Sequence, residues 1–80
     1  MRIYRILSGL VVENFILIQD EYSVHVLGLE TLLIIDSVIL PKALLNYNLN
    51  CVNILKNDHD RFLILLMSHE NACKIIKIYM

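Results

Sequence analysis

The chain has 80 residues, a formal net charge of −1 at pH 7 and a hydrophobic content of 58%. Soluble domains average about 45–50% apolar residues, and a chain of this length buries only about 60% of its unfolded surface. We therefore expect one domain whose surplus of apolar surface is covered by a partner. The Lys and Arg residues are scattered, which argues against strong binding of nucleic acid through phosphates.

Neither a membrane span nor a signal peptide is indicated. The longest uninterrupted apolar run, residues 62–67, is far shorter than the roughly 18 residues that a spanning helix needs. The start, Met1-Arg2-Ile3-Tyr4-Arg5, lacks the apolar core and cleavage site of a signal peptide. We expect an intracellular protein, cytoplasmic and nuclear, that makes no membrane contact and keeps Cys51 and Cys73 as free thiols.

The first half of the chain is typical of an antiparallel meander. Apolar segments rich in Ile, Val, Leu and Tyr occupy residues 2–8, 14–19, 22–29 and 31–40, and such segments favour strands. The pair Asp20-Glu21 is short enough for a tight hairpin. Residues 31–40 are predicted as two strands that meet at Asp36-Ser37, with a buried helix over 32–35 as the alternative.

The second half predicts an α-β-β-α order. Pro41 suits the first turn of a short helix over residues 41–48. Residues 51–56 and 61–67 flank the polar cluster 57–60, which predicts a hairpin. Ser68 suits an N-cap, and a final helix is predicted from one apolar stripe, formed by Ala72, Ile75, Ile76, Tyr79 and Met80.

The fold class predicted is therefore α+β. Residues 1–40 form a β-rich half, and residues 41–80 form a helix-hairpin-helix extension packed with it as one compact unit.

Two apolar segments resemble the paired motifs of the Sm-like small barrel. They are Asn14-Phe15-Ile16-Leu17-Ile18 and residues 30–39. Within the Sm-like proteins, the chain resembles the Gemin subunits of the survival of motor neuron complex, whose sixth member joins an Sm-like half to a small C-terminal extension. The resemblance implies an abbreviated Sm-like antiparallel β-barrel or meander followed by a small α-β-β-α extension.

The resemblance also implies a function. A Gemin-type subunit would be a noncatalytic scaffold that heterodimerises with another Sm-like protein and supports assembly of Sm cores on small nuclear RNA, together with further subunits of the same complex. The partner would add a strand to the exposed edges at residues 22–29 and 38–40. The contact positions expected on the strands and the final helix are Val24, Val26, Ile35, Val38, Ile39, Ile75, Ile76 and Tyr79.

Two other functions remain open from the sequence. One is a divergent small-barrel RNA-binding protein, although residues 9–13 lack an Asp and residues 34–37 lack an Arg-Gly pair, which Sm proteins use to hold uridine. The other is an unrelated small interaction domain, such as a viral factor.

No enzyme class is indicated. Asp58-His59-Asp60 is the one cluster that looks like a metal or catalytic site, but these are ordinary turn residues. His69 and Cys73 lie four apart without the second His of a helical zinc site, and His25 receives no role. We expect no catalytic residue, no metal and no cofactor.

Overall fold

The structure, a computed structural model, describes residues 2–56 and 61–79, apart from the side chains of residues 51 and 56. Within these residues, seven strands and one 3₁₀ turn follow one another. They are β1 (Ser8–Val12), β2 (Phe15–Gln19), β3 (Ser23–Gly28), β4 (Ile34–Ile39), the turn Lys42–Leu44, β5 (Asn48–Lys56), β6 (Arg61–His69) and β7 (Ala72–Tyr79). None of the described residues belongs to a helix that could cross a membrane.

The strands form two antiparallel meanders in which each strand pairs with its neighbour in sequence. Sheet I has the order β1-β2-β3-β4, and sheet II has the order β5-β6-β7. The register of sheet I places Leu17 opposite both Leu10 and Val26, and that of sheet II places Leu65 opposite both Val52 and Ile76. Since residues opposite one another share a face, each sheet carries continuous rows of apolar side chains.

The predicted α+β fold is wrong, because the described residues are almost entirely β and contain no α-helix. The two sheets do not close into a barrel over the described residues. The Sm-like barrel and the α-β-β-α extension are therefore both absent from the described parts of the chain.

The predicted final helix is a strand, β7. Its residues alternate between two apolar sets, since Ile76 and Ile78 pair with Leu65 and Leu63, whereas Ile75 pairs with Leu66. A strand that is apolar on both faces produces a run in which a helical spacing also appears. The β-branched content of this segment favours the strand.

The predicted helix over residues 41–48 shrinks to the 3₁₀ turn Lys42–Leu44, for which Pro41 is the N-cap residue. The Leu44 N–H donates to Pro41 O at 2.8 Å, and the Tyr47 N–H donates to Leu44 O at 3.0 Å. Both bonds span three residues, so the segment is a compact connection between the sheets and not an α-helix.

Two details of the predicted first half also change. The first strand lies at Ser8–Val12 and not at residues 2–8. The predicted turn at Asp36-Ser37 is absent, because β4 runs continuously through both residues and bulges only opposite Val26 and Leu27. The Asp36 carboxylate is used locally, where Oδ1 accepts the Ser37 N–H at 2.8 Å.

The hydrophobic core lies between the two sheets. It joins side chains from both meanders and from the segment between them, namely Phe15, Leu17, Val24, Val26, Leu40, Leu49, Leu63, Leu65, Met67 and Ile78. At about 25 cal/mol per Å² of apolar surface, burying these side chains is the main contribution to stability. The two sheets are therefore one folding unit around a shared core.

Contacts at both ends of the sandwich define how the sheets are stacked. At one end, the buried Gln19 side chain bridges them: its Nε2 donates to Tyr47 O at 2.6 Å, and its Oε1 accepts the Leu49 N–H at 2.8 Å. At the other end, Arg61 pairs with Glu13 at 3.2 Å. The start of β5 thus lies beside the start of β1 and their ends also coincide, so β1 and β5 run in the same direction.

Candidate functional site

Each sheet has one face in the core and one face turned away from it. Because side chains alternate along a strand, Phe15, Leu17 and Gln19 of β2 point into the core, and Ile16 and Ile18 point away. An ordinary two-layer sandwich keeps its outward positions polar. In this chain, apolar side chains instead occupy most of the outward positions on the middle strands, β2 and β6.

The outward face of sheet I, called here the free face of sheet I, consists of six apolar side chains in matched register. They are Val11, Ile16, Ile18, Leu27, Ile34 and Ile39. Val11 is 66% exposed and Ile39 is 69% exposed, Ile16 and Ile18 are half-buried, and Leu27 is buried. The same face also carries Ser23, His25 and Ser37, of which Ser23 and His25 are buried, and Arg2 and Tyr4 line a pocket there with Ser23 and Ile39. The exposed apolar surface of sheet I therefore lies on β1, β2 and β4.

The outward face of sheet II, the free face of sheet II, is built in the same way. Its apolar members are Leu55, Phe62, Ile64, Leu66, Ile75 and Tyr79. Ile75 is 69% exposed, and Lys77 covers part of the surface, with its ammonium 4.1 Å from the centre of the Phe62 ring. Apolar surface of this extent is usual where another protein binds.

The residues predicted as contact positions fall into three groups. Val24 and Val26 are 1% exposed and belong to the core, and Val38 and Ile76 are half-buried against it. Four predicted positions are exposed: Ile35, Ile39, Ile75 and Tyr79. Ile39 lies on the free face of sheet I, and Ile75 and Tyr79 lie on the free face of sheet II.

A groove opens between the sheets on the side away from β1 and β5. It has a volume of about 390 Å³ and is lined by Val26, Ile35, Asp36, Arg61, Ile78 and Tyr79. The sheets are in close contact at β1 and β5 and leave this space near β4 and β7. The sandwich is therefore a wedge that widens from its first strands outward.

The edges available for strand addition differ from those predicted. The segment 22–29 corresponds to β3, which lies between β2 and β4 and has partners on both sides. The edge strands of sheet I are β1 and β4. Of the two predicted edges, only residues 38–40 fall on an edge strand, at the end of β4.

A buried polar cluster lies at the turn between β2 and β3. The Asp20 carboxylate accepts hydrogen bonds from the Tyr4, Tyr22 and Ser23 N–H groups at 2.8 to 2.9 Å. His25 Nε2 donates to its Oδ2 at 2.9 Å, and both side chains are fully buried. Asp20 thus joins the N-terminal segment, the turn and β3 at one point.

The electrostatics of Asp20 follow from these contacts. Burial by itself would raise the pKa of its carboxyl, but the hydrogen bonds from Tyr4, His25, Tyr22 and Ser23 together outweigh burial and lower the pKa to about 2. Hydrogen bonds donated to a carboxylate favour its charged form. Asp20 is consequently an anion under all ordinary conditions.

The cluster continues to Ser37, whose Oγ lies 2.7 Å from His25 Nδ1. An Asp-His-Ser chain can activate a serine nucleophile, and no motif in the sequence connects these three residues. Here His25 and Asp20 have no solvent access, and Ser37 is half-buried in the middle of β4. The hydrogen bonds among Asp20, His25 and Ser37 tie β3, β4 and the N-terminal segment together.

Metal binding finds no support in the described part of the chain. No group of three or more His, Cys, Asp or Glu side chains there could hold an ion. The cluster Asp58-His59-Asp60 lies outside the described residues. His69 and Cys73 are both exposed near the β6–β7 turn, where His69 pairs with Ala72 and Cys73 pairs with Ser68.

Comparisons with protein-family models, with curated proteins and with solved structures give no match for this chain. The candidate site therefore depends on its own geometry, and its clearest part, the free faces, includes residues that the sequence analysis did not select. Val11, Ile16, Phe62 and Leu66 are among them. The signal that could have found them is the uninterrupted apolar run in β2 and β6, which is typical of strands buried on both faces.

Proposed function

We propose that this chain is a noncatalytic protein-interaction module that binds the β-sheet of a partner protein on its free faces. The observation that carries the proposal is that Val11, Ile39 and Ile75 lie about two-thirds exposed on the sheet faces that the shared core does not cover. Stable specific interfaces bury roughly 800 Å² on each partner, so the exposed apolar side chains would form the centre of such an interface and their polar neighbours its rim.

The form of the chain supports a sheet as the bound element. Each of its own sheets already packs face to face against a second meander, and the free faces carry the same kind of side chains, mainly Ile and Leu. Strand addition to β4 is the weaker alternative, because an edge strand binds through its backbone and leaves the apolar faces exposed.

The narrower assignment to Sm-core assembly stays a prediction from sequence resemblance. It depended on an Sm-like barrel, and the observed fold is a pair of open sheets. An RNA-binding role has less support, since Lys77 is the cation that the described side chains present on the free face of sheet II, and the imidazole on the outward side of sheet I, that of His25, is fully buried.

Photo-cross-linking in the native cell tests the proposed module. A p-benzoylphenylalanine placed at Val11 or at Ile75, one on each free face, is expected to cross-link to a strand of a partner protein, which mass spectrometry of the cross-linked peptide would identify. The same residue at Leu33, which is 68% exposed in the β3–β4 connection, is the matched control. Absence of protein cross-links from both free faces, or equal cross-linking from Leu33, would overturn the proposal.

A further inference from the structure

The two sheets of the chain are related by a shift and not by a two-fold axis. Their first strands, β1 and β5, lie together and run in the same direction. Their middle strands also lie together, since Leu17 of β2 and Leu65 of β6 share the core. The third strands, β3 and β7, also lie together, because Val26 of β3 and Ile78 of β7 line one groove. Each strand of sheet II thus lies one layer away from the strand that has the same place in sheet I.

This relation decides which faces meet. When two equivalent layers are stacked by a shift, the back of the first touches the front of the second. The free face of sheet I is therefore the equivalent of the face that sheet II buries. By the same reasoning, the free face of sheet II is the equivalent of the face that sheet I buries.

The side chains at equivalent positions agree with this relation. The buried face of β6 presents Leu63 and Leu65, and the free face of β2 presents Ile16 and Ile18. The first strands of the two sheets begin at Ser8 and Asn48, the second at Phe15 and Arg61, and the third at Ser23 and Ala72. These offsets of 40, 46 and 49 residues are close to the roughly 40–50 residues of one β-propeller blade. A third layer could pack on either free face as sheet II packs on sheet I.

We propose that a second copy of this chain supplies that layer, so that the free face of sheet I in one copy binds the free face of sheet II in the next, head to tail. The inference rests on the proposed function and names its partner. Continuity with the sheet-to-sheet interface inside the chain is the reason for choosing a second copy, because that interface already shows how the two kinds of face fit.

The wedge shape sets the form of the assembly. A head-to-tail contact leaves one free face at each end, so it propagates until a ring closes. Layers that are in close contact at their first strands and apart at their last ones curve around an axis, as the blades of a propeller do, and such rings hold about four to eight sheets. Two copies supply four sheets of this kind.

Two substitutions test the head-to-tail arrangement. Val11→Asp places a charge on the free face of sheet I, and Ile75→Asp places one on the free face of sheet II. Both positions are about two-thirds exposed, so each variant should fold, and circular dichroism together with thermal unfolding would verify this. Leu33→Asp is the matched control, because it makes the same change at an equally exposed residue outside both faces.

Sedimentation velocity then gives the result. The wild-type chain and Leu33→Asp are expected to form assemblies of two or more copies, and each free-face variant alone is expected to sediment as a single chain. An equimolar mixture of Val11→Asp and Ile75→Asp should form a complex of two chains, since each supplies the face that the other has lost.

Other outcomes would overturn the head-to-tail inference. One is a single-chain wild type, another is a mixture that does not associate, and a third is self-association of either variant alone, which would indicate that like faces pair. If cross-linking from Val11 or Ile75 at the same time identifies a different protein, the proposed interaction module stands and only the identity of the partner fails.

Discussion

Asp20 shows how much of this fold depends on a single side chain. The turn between β2 and β3, the N-terminal segment and the imidazole of His25 all donate to one carboxylate. Removing an acceptor leaves these buried donors without partners, at about 1–3 kcal/mol for each unsatisfied group. Asp20 is therefore the residue at which we expect the largest effect of a polar substitution.

Asp20→Asn should lower the free energy of unfolding by about 2–4 kcal/mol at pH 7, measured by urea denaturation. The pH dependence has a definite sign. The pKa of Asp20 falls from 3.8 to about 2 on folding, so its stabilisation is complete above pH 3.8 and is lost as the pH falls through about 2. The difference between wild type and variant should therefore shrink across this interval.

Glu21→Gln is the control for this measurement. Glu21 is next in sequence and pairs with Arg5 at 3.1 Å on the surface, where ion pairs contribute about 0–1 kcal/mol. An equal loss of stability in both variants would contradict the role given to the Asp20 cluster.

At the scale of elements, the two-residue turn Glu70-Asn71 separates β6 from β7. Glu70 has a φ of 53°, a left-handed conformation that costs about 1–2 kcal/mol for a residue with a Cβ and suits glycine. The sequence predicts the first turn of a helix here. The observed hairpin and the predicted helix should respond in opposite ways to glycine at position 70.

Glu70→Gly should raise the free energy of unfolding by about 0.5–1 kcal/mol, because glycine relieves the strain of the turn. In the predicted helix, the same change would lower stability by a similar amount. Thermal unfolding monitored by circular dichroism distinguishes the two. Asn71→Gly is the control, since Asn71 has no positive φ and glycine there should bring no gain.

The elements that could be predicted from sequence were those with one dominant signal. The strands near residues 14–19 and 22–29 and those on either side of residues 57–60 are present as β2, β3, β5 and β6, because β-branched runs between polar turn residues identify strands. β7 could not be distinguished from a helix, since apolar residues on both of its faces create a false helical stripe. The stacking of the sheets depends on contacts between Gln19 and residues 47–49 that no local pattern encodes.

The candidate site was only partly predictable for the same reason. Ile39, Ile75 and Tyr79 were selected and lie on free faces, whereas Val24 and Val26 were selected and lie in the core. The sequence shows that a strand has two apolar faces, but it does not show which face meets the other sheet. Which face is buried depends on the side from which the other sheet packs.

At the scale of the whole molecule, one core holds both sheets. Leu65→Ala removes a fully buried side chain between them and should cost about 2–5 kcal/mol. Hydrogen exchange followed by mass spectrometry should show faster exchange in β2 as well as in β6. Leu33→Ala, on the surface, should change stability by less than about 0.5 kcal/mol. Faster exchange confined to sheet II would contradict a shared core.

The pairing of every strand with its neighbour in sequence also bears on how the chain folds. Contacts between neighbouring strands close short loops, and such local contacts form early and rapidly. Sheet I has all its strand partners within residues 8–39, so its hydrogen bonds can form before sheet II docks on it. Until sheet II docks, Leu17 and Val26 are uncovered, and the folding chain passes through a stage in which apolar side chains are exposed on both sides of sheet I.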